Sequence, residues 1–216
     1  MLVALEGLAG AGKSTLRDRI LADAHPVGIS LNHIGQFSWL SHSATRTLVR
    51  LRAGHPAHNS EDALEAACQD LILHARFNFA PALVQGSVLA DRFSLSTACL
   101  LTLVHQHPVA GYIERLAELR RARPDLTILL TTDPGLCQDR IARRETARRF
   151  TEHPDTANLL ADLYRQATTA WTARTGLPVW ERPCATKADL DELAADCLAH
   201  LRLPARPQPP NSEASR

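Results

Sequence analysis

One short segment constrains this chain more than any other: Gly7-Leu-Ala-Gly-Ala-Gly12-Lys13-Ser14, set between an apolar run over residues 2–6 and a helical stretch from Lys13 to about Ala24. It fits G-x-x-x-x-G-K-[ST] at every fixed position. Glycines here let successive backbone N–H groups turn inward, and the helix start adds the positive end of its dipole, so the loop suits phosphate oxygens. Gly7, Gly10, Ala11, Gly12, Lys13, Ser14 and Thr15 are therefore expected to hold the phosphates of ATP. Lys13 is expected to reach the β- and γ-phosphates, and the Ser14 hydroxyl to ligate Mg2+. A turn of this kind works at the carboxyl end of a strand in a parallel sheet.

The remaining chain agrees with that demand. Apolar runs over 27–31, 87–91, 126–131 and 177–180 alternate with helical stretches over about 42–53, 59–83, 94–106, 110–122, 155–175 and 186–203, plus one opening at Asp133. Pro81 predicts a kink in the long stretch. Strands separated by helices mean βαβ units and a parallel sheet covered on both faces. We therefore expect a three-layer α/β/α P-loop NTPase fold with a five-stranded parallel sheet, one domain over residues 1–203, and a basic lid at about 143–152. Residues 204–216, rich in Pro and polar side chains, read as a disordered tail.

Composition removes several classes. A net charge of +1, from 24 basic and 23 acidic residues, provides no basic excess for a nucleic-acid partner. No apolar run reaches membrane-span length, so no membrane partner is expected, and the N-terminus lacks the features of a signal peptide. Five cysteines without a C-x-x-C pair point to a reducing, cytoplasmic setting. Only Lys13 and Lys187 are lysines. Thr186-Lys187-Ala188-Asp189 matches a guanine-reading [NT]-K-x-D, but no D-x-x-G accompanies it. The same four residues read as a helix N-cap with an acidic third position.

Four segments resemble the thymidylate kinase family of nucleoside monophosphate kinases, in order over about residues 2–165. Glu6-Gly7 with Gly10-Ala-Gly-Lys-Ser-Thr15 is similar to its E-G-x-x-G-x-G-K-S-T opening. Leu71 to Arg76, then Pro81-Ala-Leu83 and Gly86, resembles its acceptor-site helix. Asp91-Arg92-Phe93 with Ser96-Thr97 is similar to its D-R-[YFH] turn. Pro124-Asp-Leu and the strand after it, with Arg140 and the arginines of 143–149, resemble its P-D-L strand and basic lid; Glu152 is similar to the acidic residue ending that lid. The resemblance implies that Asp91 holds Mg2+ or its water and that Arg92 grips the acceptor or the transferring group. It implies acceptor contacts from Arg76 and a catalytic lid. Arg144 and Arg148, expected on one face of a lid helix, are the catalytic candidates there, because position 10 is glycine and the loop brings no arginine.

The departures from the family cluster on the acceptor side. Ala9 stands for an expected Asp, Ile72 for the aromatic that stacks on thymine, Cys99-Leu100-Leu101 for A-Y-Q, and Asn32-His33-Ile34-Gly35-Gln36 for R-E-P. Each polar base edge left unpaired on burial costs about 1–3 kcal/mol, so recognition of dTMP should be weakened. Gln36 and His33 are alternative acceptor contacts, and Phe93 a candidate for stacking, although core packing explains the latter equally simply. The function implied is ATP- and Mg2+-dependent phosphoryl transfer to a nucleotide-like acceptor, dTMP (giving dTDP and ADP) or a related nucleotide or nucleoside. A kinase of another hydroxylated metabolite, or an ATP-binding regulatory protein without efficient transfer, stays open. A homodimer through helices 60–83 and 94–106 is a further expectation.

Overall fold

The computed structural model describes residues 1–203; the expected tail, 204–216, lies outside the described residues. Five parallel strands, β1 (Leu2–Gly7), β2 (Leu31–Ile34), β3 (Ser87–Asp91), β4 (Leu126–Leu130) and β5 (Val179–Arg182), form one sheet in the order β2-β3-β1-β4-β5. β1 and β4 are buried along their whole length, which their unbroken apolar runs demand of strands covered on both faces. Helices cover both sides of the sheet. Helix α1 (Lys13–Ala24) packs with α9 (Lys187–Leu201), while α5 (Ser94–His105), α6 (Val109–Ala117) and α8 (Pro154–Thr175) pack with one another. Helices α2 (His42–Arg52), α3 (Ser60–Leu73), α4 (Ala80–Gln85) and α7 (Pro134–Ala142) complete the chain.

Several boundaries differ from the expectation. The second strand begins at Leu31 rather than ending there, because Pro26 opens a single 3-10 turn over His25–Val27 and Gly28 closes it in the left-handed region. Asn32, His33 and Ile34, expected in a loop, are therefore sheet residues paired with β3. The last strand is displaced similarly, to Val179–Arg182. The expected kink at Pro81 is replaced by a π-helical segment, His74–Phe79, just ahead of the proline. A proline clashes with the carbonyl four residues before it, and wider turns are one way for a helix to absorb that.

No helix among the described residues is long and apolar enough to cross a membrane. All five cysteines are free thiols. The Thr186 segment is a cap: Thr186 Oγ1 accepts from the Asp189 N–H at 3.2 Å and Asp189 Oδ2 from the Thr186 N–H at 2.8 Å. Residues Leu95 to Leu101 of α5 are buried within the subunit.

Candidate active site

The strand order reverses about β1, and the carboxyl ends of β1, β3 and β4 meet at that point, where ligands bind in open parallel sheets. β1 runs into the glycine loop, with Gly7, Gly10 and Gly12 at φ of 127°, 81° and 107°. A Cβ at Gly10 would stand 2.5 Å from the Cys137 carbonyl oxygen in α7, so the loop is pressed onto that helix as well as turned left-handed. Two side chains tie the loop down from behind. Thr132, just past β4, donates from Oγ1 to the Ala11 carbonyl at 3.0 Å and reaches the Cys184 carbonyl at 3.2 Å. Arg140 donates to the Gly10 carbonyl at 3.2 Å and to those of Cys184 and Ala185 at 3.0 and 2.6 Å.

Lys13 lies buried in the loop, its Nζ donating to the Gly7 and Leu8 carbonyls at 2.8 and 2.6 Å. Burial, and secondarily the Arg92 guanidinium, push its amine well below the ordinary lysine range. Ser14 and Thr15 are exposed on the first turn of α1. Asp91 ends β3 with one oxygen 3.8 Å from an Arg17 nitrogen and with Oδ1 buried and unpartnered. A hydroxyl on the loop side and a carboxylate oxygen lacking a donor form a hard-oxygen set that suits Mg2+, which completes its shell with water and phosphate oxygens.

Arg92 is held in a costly conformation, φ 63° in a non-glycine residue. Glu6 explains how it persists. Fully buried at the end of β1, the Glu6 carboxylate accepts from the backbone N–H groups of Phe93, Leu95 and Ser96 at 2.9–3.1 Å and from the Ser96 hydroxyl. It thus caps α5 and fixes the turn carrying Arg92. Burial pushes the Glu6 carboxyl up, against the pull of these donors. The Arg92 guanidinium donates to the Gly7 carbonyl and the Tyr164 hydroxyl, each at 3.3 Å. Tyr164 in turn bonds the Ser96 hydroxyl at 2.7 Å and donates to the Gly7 carbonyl at 3.2 Å, with burial raising its phenol above the ordinary range.

These groups open onto a small, partly open cavity lined by Ala9, Gln36, Arg52, Arg92, Leu100 and Tyr164, among others. Gln36, the loop residue expected to contact an acceptor, lines this cavity. Arg76 does not. It is exposed on the π-helical segment, its guanidinium 5.0 Å above the Phe77 ring, and it does not line the cavity. Ile72 is exposed too. The helix turns its other side inward: two residues of helix rotate a side chain by about 200°. Asp70 accepts from the Ser38 hydroxyl at 2.6 Å and from the Ser38 N–H. His74 Nε2 bonds the Gly35 carbonyl at 2.9 Å, and Asn78 donates to the Ser38 carbonyl at 3.1 Å. The loop over 35–38 is therefore clamped against α3 and the π-helical segment.

Phe93 also departs from its candidate role. It is buried, 5.4 Å from Phe79, and belongs to the core. His33 is exposed on β2 and does not line the cavity. The expected lid helix is absent: residues 143–149 are irregular, and Arg144 and Arg148 do not share a helix face. Both instead converge on Glu152, Arg144 on its carboxylate at 3.4 Å and Arg148 on its carbonyl at 3.0 Å. Glu152 has a second acceptor bond, from the Arg149 N–H at 2.9 Å, so this buried carboxylate, not helix propensity, shapes the segment. The lid end docks on the turn that follows α2, where a Cβ at Gly54 (φ 85°) would come within 2.7 Å of the Phe150 ring. Thr132, Tyr164 and Arg52 carried no sequence signal beyond their residue type, since each acts only through segments distant in the chain.

Comparison with known proteins places this geometry. A family model described as Thymidylate kinase matches residues 5–172. The chain is 28% identical over 145 residues to a protein of Archaeoglobus fulgidus called a probable thymidylate kinase, covering 67% of this chain and 70% of that one. It is 27% identical over 172 residues to a thymidylate kinase of Xylella fastidiosa, covering 76% and 73%.

Proposed function

This chain belongs to the thymidylate kinase family, whose members are phosphotransferases, and on that premise we propose that it transfers the γ-phosphoryl group of ATP to a small nucleotide-like acceptor. The observation that carries the reading is the meeting of Arg92 with the phosphate loop: one guanidinium touches Gly7 and also lines the cavity beyond. A group so placed can hold charge on both sides of a phosphoryl in flight, and such transfer depends mainly on positioning and electrostatic stabilisation.

The geometry supports the following roles. The loop N–H groups from Gly7 to Thr15 and the start of α1 take the donor phosphates. Lys13 gives up two carbonyl partners and binds phosphate oxygens as a compact cation. Ser14 and Asp91 would hold Mg2+, which neutralises phosphate charge when bound. Arg144, released from the Glu152 carboxylate, exchanges one anion for another, and Arg148, released from the Glu152 carbonyl, adds positive charge over the donor. Closure of the lid would exclude water that could otherwise take the phosphoryl group.

The acceptor side supports a substrate other than dTMP. Ala9 and Leu100 face the cavity where polar readers are expected, and the loop over 35–38 is clamped against α3 and the π-helical segment. ATP consumption measured against a panel of nucleosides, nucleoside monophosphates and small hydroxylated metabolites tests this. Turnover is expected with one phosphate-bearing acceptor and weak or absent turnover with dTMP. Efficient turnover of dTMP alone would restore the narrow assignment. No turnover with any acceptor would favour a nucleotide-binding regulatory protein.

A further inference from the structure

One tie on the 35–38 loop is titratable. His74 is buried in the π-helical segment and stacks on the Phe79 ring at 4.2 Å. Its Nε2 bonds the Gly35 carbonyl at 2.9 Å, and its Nδ1 stands 2.9 Å from Asn78 Nδ2, which also donates to the Ser38 carbonyl at 3.1 Å. Carbonyl oxygens only accept, so these two contacts fix the protons of the cluster. Gly35 requires the ring proton on Nε2, and Ser38 requires the amide nitrogen of Asn78 on its side. The second amide hydrogen then meets the Nδ1 lone pair. Every position is filled with the ring neutral, and no place is left for a second ring proton.

Charging the ring breaks this arrangement. A proton on Nδ1 would face an N–H of Asn78, and turning the amide to offer Oδ1 would set that oxygen against the Ser38 carbonyl. One bond of the cluster is lost either way. Burial also disfavours the imidazolium, against the pull of the Gly35 bond and the Asp70 carboxylate. Asp70, on α3, is the charged group that acts on the ring, and it is already engaged with Ser38. Helix α4 has no titratable side chain. Arg120 and Arg121, in the 3-10 turn packed on the segment, are exposed, as is Arg76.

We propose that His74 is a positioning residue for the 35–38 loop and a proton-operated latch on it: the neutral ring holds the loop, and the charged ring releases it. The loop has no regular structure, carries Gln36 into the cavity wall, and runs on to Trp39, exposed and strained at φ 60°. Its release takes Gln36 away from that wall and lets water reach the ring. The closed loop binds a proton on His74 more weakly than the open one does. Closure is therefore complete above about pH 6.5, the ordinary histidine value, and is lost as pH falls below it.

Amide hydrogen exchange of the full chain without ligand, corrected for the intrinsic pH dependence of exchange, tests the latch. Protection of residues 35–40 should be constant above about pH 7 and fall at least about tenfold by about pH 5, while β1 and β4 keep theirs. His74→Gln retains an N–H donor for Gly35 but does not titrate, so its loop should stay protected in acid. His74→Phe, without a donor, should leave the loop open at every pH. Nitrogen-15 NMR of the histidine rings should show His74 with its proton on Nε2 at neutral pH. The latch is overturned if loop protection in the unchanged protein is flat into acid, as a merely structural histidine would give. It is overturned equally if His74→Gln retains the acid loss, if His74→Phe protects the loop normally, or if the ring proton sits on Nδ1. Should His74→Phe not fold, His74→Gln and the pH profile decide alone. Failure of the kinase reading leaves every one of these outcomes unchanged, since no substrate enters the measurement.

Discussion

The two sides of the cleft are assembled differently. The phosphate loop is one contiguous segment, and two side chains from elsewhere, Thr132 and Arg140, brace it through its carbonyls. Across the cavity, the wall gathers single side chains from the 35–38 loop, α2, α5, the lid end and α8. A contiguous backbone site resists substitution because its geometry is the motif itself. A wall of single side chains can exchange one side chain for another without disturbing the fold. That contrast fits a loop that keeps every fixed position of G-x-x-x-x-G-K-[ST] beside a wall whose residues depart from the family pattern.

Substitutions can break or sharpen the contrast. The largest effect is expected for Lys13→Ala, which removes the loop's cation and should lower turnover by about 10²–10³-fold or more; near-normal rates would sink the donor-site assignment. The depressed pKa of Lys13 has a further consequence. An anionic donor favours the charged amine, so donor binding should take up protons and weaken as pH rises through the alkaline range. Donor affinity measured across that range checks it, and a flat profile on the alkaline side would contradict it.

Next comes Glu6→Gln, which sets an amide N–H against the backbone donors of Phe93 and Ser96. A loss of about 2–3 kcal/mol in denaturant unfolding is expected, with acceptor binding weakened through Arg92. An unchanged midpoint would mean that the carboxylate is not what holds the Arg92 turn. Asp70→Ala should cost about 1–2 kcal/mol and make the amides of 35–40 exchange faster with solvent, since Ser38 loses its acceptor. Protection persisting in that loop would show that His74 and Asn78 hold it alone. The smallest effect belongs to Lys187→Ala. Its ammonium is exposed and pairs with Asp191 at 2.7 Å one turn on, so stability should move by less than about 0.5 kcal/mol and turnover hardly at all.

How legible each part was depended on sequence separation. The loop and the Thr186 cap were readable because each forms over a few residues, where spacing maps directly onto geometry. Glu6 could be matched as a family position, but its purpose could not be read, since its donors lie about 90 residues later. Arg76 and Ile72 were misplaced for a related reason. Spacing of four correctly puts them on one helix face, but the direction of that face depends on what Asp70, His74 and Asn78 bind in another segment. The lid failed similarly: its arginines predicted a basic helix, and a buried Glu152 drew them into an irregular turn.

The sequence by itself determined the parallel sheet with helices on both sides and the phosphate loop at the end of its first strand. Unbroken apolar runs, intervening helices and a glycine pattern are local properties, and few folds satisfy all three. Only the tertiary structure decided which arginines face the cavity and which face solvent. Side-chain direction on a helix is fixed by its packing partners, and here those partners are a short loop folded onto α3 and one carboxylate buried beneath the lid.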